Sequence, residues 1–170
     1  ASAKMATCYS YVGIALTSSL RMGLHRCVSV NFNPIVRETR KRIFWVVRKM
    51  DTYISTLLGL PKTMNDEDID QDLPAEVDDE YITKDKILPM PEGQLSMIAA
   101  GNAHVRLMRI LAKVVKYVYP IKGMEHGSSG QTYMVSHARI REIEADLQDW
   151  LEQLPVEFRL GSECPPKRVR

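Results

Sequence analysis

The stretch "NDEDIDQDLP", residues 65–74, sets Asp66, Asp68, Asp70 and Asp72 at alternate positions. Alternating carboxylates open a calcium loop, because a hard cation takes oxygen ligands. Such a loop also needs a glycine at its sixth position and a bidentate glutamate at its twelfth. Counted from Asp66, those positions hold Gln71 and Val77, so the calcium pattern fails. The same stretch offers Asp66, Glu67 and Asp70 as magnesium ligands for an all-α metal-dependent enzyme. The plainer reading is a solvated acidic loop.

Asp51 raises a different question. It sits in "RKRIFWVVRKMDTYISTLLGLP", with Phe44, Val47, Ser55 and Leu58 at helical spacing on the same side. A carboxylate on an apolar face costs free energy unless a donor answers it. A catalytic base would need partner chemistry, and the sequence supplies little. His25, His104, His126 and His137 are scattered, and Cys8, Cys27 and Cys164 are too far apart for a zinc knuckle or a disulfide framework. His104 lies on an apolar stripe, where a satisfied core histidine is expected. No G-x-S-x-G, phosphate loop or dinucleotide fingerprint is present.

Two basic sets remain. Arg40, Lys41 and Arg42 cluster early in one helix, and Arg106, Arg109, Lys113 and Lys116 form a stripe along another. Neither set comes with groove-reading side chains or interleaved aromatics, so no direct nucleic-acid contact is expected. They read as solvated helix faces, or as a surface on which the acidic connection folds back.

Four long helices are expected to position these groups. Met5, Tyr9, Val12, Leu16 and Leu20 recur with a 3.6-residue period over 3–22. Gly23 followed by Leu24 reads as a glycine C-cap. Asn33 and Pro34 then start a second helix as N-cap and first residue. Val36, Ile43, Val47, Met50, Ile54 and Leu57 carry its stripe to about Leu58, where Gly59 and Pro61 stop it. Residues 62–91 read as a long, irregular, acidic connection, anchored by Ile69, Leu73 and Pro74 and expected to lie against protein. A third helix runs from about Glu92 to Tyr119, with Met97, Gly101, His104, Met108, Leu111, Val115 and Val118 inward. A glycine- and serine-rich linker, "PIKGMEHGSSGQ", precedes a fourth helix from about Thr132 to Leu154. Ile140, Ile143, Leu147, Trp150 and Leu154 are its inner residues. The first two helices are expected to pair antiparallel, and nothing reads as a sheet.

A chain of 170 residues, 45% hydrophobic and 26% charged, is one domain's worth of ordinary globular sequence. Its net charge of +2 carries no global argument for nucleic acid or membrane. No apolar run is long enough to span a bilayer, and the N-terminus lacks the apolar core of a signal peptide. The sparse cysteines fit a reducing compartment.

The motif order is more informative than any single motif. It runs Gly23-Leu24-His25-Arg26, a Phe-x-Pro turn, Phe44-Trp45 after an arginine-rich segment, Asp51, Ser55, Gly59-x-Pro61, then Asp68, Ile69, Leu73 and Pro74. This order resembles the regulatory domain, or middle homology region, of fungal zinc-cluster (binuclear, six-cysteine) transcription factors. The match covers about residues 6–74 closely, and "LQDWLEQLP" around Trp150 also looks like the family. The resemblance implies an all-α, non-catalytic regulatory domain of a nuclear factor acting on RNA polymerase II transcription and responding to a metabolite or a partner protein. It implies that zinc and DNA are bound by a separate module, since three cysteines cannot build a six-cysteine cluster. Homodimerisation is a further possibility, and a pure dimerisation scaffold is a rival reading.

The chain, ending in "KRVR", is expected to be a piece of a longer domain. Thr52 and Leu60 depart from the arginines that the family often has there. Asp51 is expected to act as a structural clamp, tied to His25 and Arg26 at the corner between the first two helices.

Overall fold

The computed structural model describes residues 2–27, 31–118 and 136–159. Four helices are present among them: α1 (Ser2–Arg21), α2 (Pro34–Leu58), α3 (Met97–Val118) and α4 (His137–Gln153). Single 3-10 turns lie at Asp66–Asp68, Asp79–Tyr81 and Val156–Phe158, and no strand is found among the described residues beyond one isolated bridge, Ile82 to Ile87. The all-α expectation holds. The expected linker at 120–131, Cys164 and "KRVR" lie outside the described residues.

α1 and α2 pair antiparallel. Near one end Tyr9 donates its hydroxyl to the Pro61 carbonyl at 3.0 Å, and at the other Arg40 donates to the carbonyls of Met22 and Gly23. Both helices stop by the same device. Gly23 and Gly59 each have φ +65°, a conformation open to glycine at little cost. The following N–H groups of Leu24 and Leu60 reach back to Ser19 and Ser55 at 3.0 and 2.9 Å, which satisfies carbonyls the helix leaves open. Asn33 caps α2, its side chain accepting from the Val36 N–H.

The core lies where α1, α2, α3 and the connection meet. Leu16, Leu24, Phe44, Trp45, Met64 and Val105 form it, with Leu20, Val47, Ile69 and Leu73 packed against them. Phe44 and Trp45 meet edge to face, 5.3 Å between centroids. The connection is therefore part of the core, as its apolar anchors require.

Three helix faces differ from the sequence reading. On α2, Val36, Ile43, Met50 and Leu57 are exposed, while Glu38, Arg48, Asp51, Thr52 and Ser55 are buried. The connection covers that second face, and its irregular backbone carries N–H and C=O groups that need polar partners. α3 starts at Met97 instead of Glu92 because Ser96 caps it, its hydroxyl accepting from the Ile98 N–H at 3.1 Å. Its buried face holds Ala99, Asn102, Ala103, Val105, Met108 and Ile110, which turns Met97 and His104 outward. The expected core histidine is thus a surface one, its imidazole held below its usual value by partial burial and then by the charge of Lys49. α4 lies antiparallel on α3 through Trp150, whose indole N–H donates to the Ala103 carbonyl at 2.8 Å, and through Lys113 to Glu142 at 3.0 Å. No residue of α4 itself is buried; Ile140 and Leu147, expected inward, are exposed.

Candidate functional site

Arg48 is the centre of the most heavily bonded region. Its Nη1 donates to Asp51 Oδ2 at 3.0 Å and to Thr52 Oγ1 at 2.8 Å, and its Nη2 donates to Asp66 Oδ1 at 2.6 Å. Asp51 also accepts from the Thr63 N–H at 3.3 Å. Lys62 closes the group by donating to Asp66 Oδ2 at 3.0 Å. One planar guanidinium thus holds the last turns of α2 and the start of the connection, which an ammonium could not do with the same geometry. Burial raises the Asp66 pKa, but the hydrogen bonds and charges of Lys62 and Arg48 outweigh it and hold the carboxyl below its ordinary value.

The rest of the connection is fastened in the same manner. Trp45 donates its indole N–H to the Asp72 carbonyl at 2.8 Å, and Glu38 accepts from the Ala75 N–H at 2.7 Å. Asn102 donates to the Pro74 carbonyl at 2.9 Å. Arg42 donates to the Val77 carbonyl and pairs with Asp79. Gln71 bridges back to the corner, its amide donating to the carbonyls of Leu24 and Arg26 at 2.9 Å each.

These bonds correct one expectation. Asp51 is clamped by Arg48 and Thr63, not by His25 and Arg26. Arg26 instead faces Asp70 at 3.6 Å, and Asp70 also accepts from the Cys27 N–H at 2.8 Å. The His25 carbonyl accepts from the Asp70 N–H, while its buried Nδ1 has no hydrogen-bond partner among the described residues. The corner is held by the connection, while Asp51 sits farther along α2.

The other motif residues have clear places. Leu24, Phe44, Trp45, Ile69 and Leu73 join one core, and Gly23 and Gly59 end helices. Ser55 is buried and donates to the Thr52 carbonyl; Pro61 accepts from Tyr9; Pro74 is buried and accepts from Asn102. Asp68 is exposed in a turn. Glu38, Gln71 and Asn102 were not singled out in the sequence. A buried acid at position 38 had a faint signal, one heptad before Trp45 on the same face; Gln71 and Asn102 had none.

Asp66, Glu67 and Asp70 do not assemble as a magnesium site. Asp66 is turned to Arg48 and Lys62, Asp70 to Arg26 and Cys27, and Glu67 is exposed. No group of three or more His, Cys, Asp or Glu is placed to hold a metal among the described residues. The cationic stripe of α3 is largely occupied from within. Arg106 faces Glu76 at 3.7 Å, Arg109 lies over the Trp45 ring at 4.9 Å, and Lys113 is bound by Glu142 and Asp146, which raise its pKa.

Beside the Arg48 group, a cleft opens between the end of α2 and the second half of α3. Thr56, Lys62, Asp66, Arg109, Lys113 and Lys116 are among its lining residues. Four cations line it against Asp66 and Glu67, and of the four Asp66 bonds Lys62.

Three relatives place the chain. It is 42% identical over 170 residues to "Activator of stress genes protein 1" of Candida albicans, an alignment spanning 93% of this chain and 17% of that protein. It is 39% identical to "Activator of stress genes 1" of Saccharomyces cerevisiae, over 95% of this chain and 16% of the relative. It is 34% identical to "Transcriptional activator protein acu-15" of Neurospora crassa, over 89% and 16% respectively. The chain thus spans about 16–17% of the length of these curated relatives. No solved structure matches. No helix among the described residues is long and apolar enough to cross a membrane. A family model described as "Fungal specific transcription factor domain" matches residues 2–152, and with the motif order now seen as one core and one set of clamps, the chain belongs to that family.

Proposed function

We propose that this chain is a regulatory domain of a nuclear fungal factor, modulating RNA polymerase II transcription while a separate module carries the six-cysteine zinc cluster and contacts DNA. It catalyses no reaction in this reading. The carrying observation is Arg48. This buried cation ties α2 to the start of the connection, and the cleft that could admit a ligand shares Asp66 with it and Lys62 with that carboxylate. A small anionic metabolite bound by Lys62, Arg109 and Lys116 competes with Asp66 for Lys62. That competition breaks the ion pair inside the 62–66 segment and leaves Arg48 as the one cation among the described residues still bonded to Asp66. A ligand shifts such an equilibrium only by its differential affinity for the two states, and the shared lysine supplies that difference.

The test uses the full-length factor on a reporter promoter, with promoter occupancy measured in parallel. Deleting residues 2–152 is expected to change reporter output several-fold while occupancy persists. Lost occupancy or unchanged output would overturn the regulatory reading. Lys116→Ala and Arg109→Ala then test the cleft. Both are expected to blunt the response to an inducing growth condition without changing protein abundance, and an unaltered response in both removes the ligand role.

A further inference from the structure

α2 leaves one face without a partner among the described residues. Val36, Ile43, Val46, Met50, Tyr53 and Leu57 are 39–53% exposed. They follow one another at spacings of seven, three, four, three and four residues. That is a 3.5-residue period, the kind of seam that receives another helix knobs-into-holes. Midway along it, Val46 and Met50 border a groove whose other wall is α1, at Cys8, Tyr11 and Ala15. A groove between two helices receives an amphipathic helix, whereas a lipid surface asks for a convex face.

The charge of this hairpin says what kind of helix. Residues 1–65 hold ten Lys and Arg but two acids, Glu38 and Asp51; Arg26, Lys41, Arg42, Arg48 and Lys62 are already ion-paired, and Lys4, Arg21, Arg37, Arg40 and Lys49 carry the hairpin's remaining positive charge. Both acids are buried, so no carboxylate shows on the surface of α1 or α2. Lys4 lines the groove and Arg37 is exposed beside Val36. Two such faces brought together would oppose like charges. The hairpin calls for an acidic guest.

α4 has that character. Ile140, Leu147 and Leu151 are 40–45% exposed, and with Glu144 they make a stripe at spacings of four, three and four residues. The helix carries five acids against two arginines; Glu142 and Asp146 face Lys113 on the α3 side, and Glu144 lies within the outer stripe. Its Trp150 and Lys113 contacts bind the opposite side to α3, and no described residue covers the stripe.

We propose that the outer stripe of α4 docks on the α1–α2 seam of a second copy of this chain. The contact is reciprocal, stripe on seam twice over, so the pair closes as a two-fold dimer. It brings the acidic helix to the cationic hairpin and covers both apolar faces at once.

The experiment uses the full-length protein, with a photo-crosslinker placed in the seam (Tyr53→benzoylphenylalanine) and equal amounts of light and heavy isotope-labelled copies. The expected adduct joins position 53 of one copy to residues 137–153 of the other, in mixed-isotope pairs. An adduct within one chain, to lipid, or to a different protein overturns the proposal, as does the absence of any adduct. A second arm measures this same adduct by complementation. Val46→Asp with Met50→Asp destroys the seam, and Leu147→Asp with Leu151→Asp destroys the stripe. Each variant alone is expected to lose the adduct at least tenfold. Mixing the two restores it to about half, because that pair keeps one intact stripe on one intact seam; restoration also shows that both variants fold. Adduct retained in either single variant, or not regained in the mixture, overturns the pairing.

Discussion

Removing the carboxylate of Asp51 is expected to cost far more than removing that of Asp66, although Arg48 binds both. Arg48 is 3% and Asp51 1% exposed. Asp51→Ala strands the guanidinium in a buried place with Thr52 and a half-exposed Asp66 as its remaining partners, and breaking a buried pair from one side costs about 3–5 kcal/mol. The side chain of Asp66 is 53% exposed, so Asp66→Ala falls in the range of surface pairs, about 0–1 kcal/mol. Replacing both partners of the buried pair, Arg48→Met with Asp51→Leu, removes the stranded charge and is expected to recover much of the loss. Urea unfolding of the 170-residue chain, followed by the fluorescence of Trp45 and Trp150, measures all of these. Trp45 reports directly, since its indole is bonded to the connection. A double-mutant cycle of Asp51 with Arg48 is expected to show coupling above about 1 kcal/mol, and cycles with His25 or Arg26 coupling near zero. A loss below about 1 kcal/mol for Asp51→Ala, or stronger coupling to Arg26 than to Arg48, would refute the reasoning.

Other outcomes follow from the same geometry. Leu16 is fully buried, so Leu16→Ala is expected to cost about 2–5 kcal/mol by urea unfolding. Val36→Ala, on the exposed stripe, is expected to stay within about 0.5 kcal/mol, the opposite of what periodicity alone suggests. The Asp66 carboxyl has a folded pKa below its ordinary 3.8. Its stabilising contribution is therefore complete above that value and lost as pH falls through the lower folded one, and Asp66→Asn is expected to flatten the stability curve in that acid range. Limited proteolysis of the folded chain is expected to spare the peptide bonds between Asp66 and Pro74; early cleavage there counts against the fastened connection.

Helix ends were legible because they rest on local chemistry. Gly23, Asn33, Pro34 and Gly59 act within a turn of their own position, and each does what its residue type allows. Core membership of Leu16, with Leu20 packed beside it, was legible for a related reason, since both lie on the one periodic stripe of α1; that of Trp45 was not, since the stripe of α2 passes it by. The orientation of α2 was not. Its apolar stripe suggested an inward side, but inward was decided by a loop 37 residues away whose bare N–H groups needed Glu38. Buried polarity matched to irregular backbone leaves no periodic trace. The corner motif misled for the same reason. His25 and Arg26 lie near α2 in the hairpin, yet the connection reached them first with Asp70 and Gln71. The cleft beside Arg48 depends on where α3 crosses, which no residue pattern states.

The span between Gln71 and the corner it closes has a consequence during synthesis. Gln71 bonds to Leu24, 47 residues earlier. Chains grow at roughly 5–20 residues per second, so the α1–α2 corner waits roughly 2–9 s on the ribosome before its lock is even translated. From the completion of α2 at Leu58 until Gln71 follows, the hairpin presents an apolar seam and a half-built core to the cell. A nascent chain of this kind depends on its translation rate: slow codons between Leu58 and Gln71 would lengthen the vulnerable period, and fast ones would shorten it.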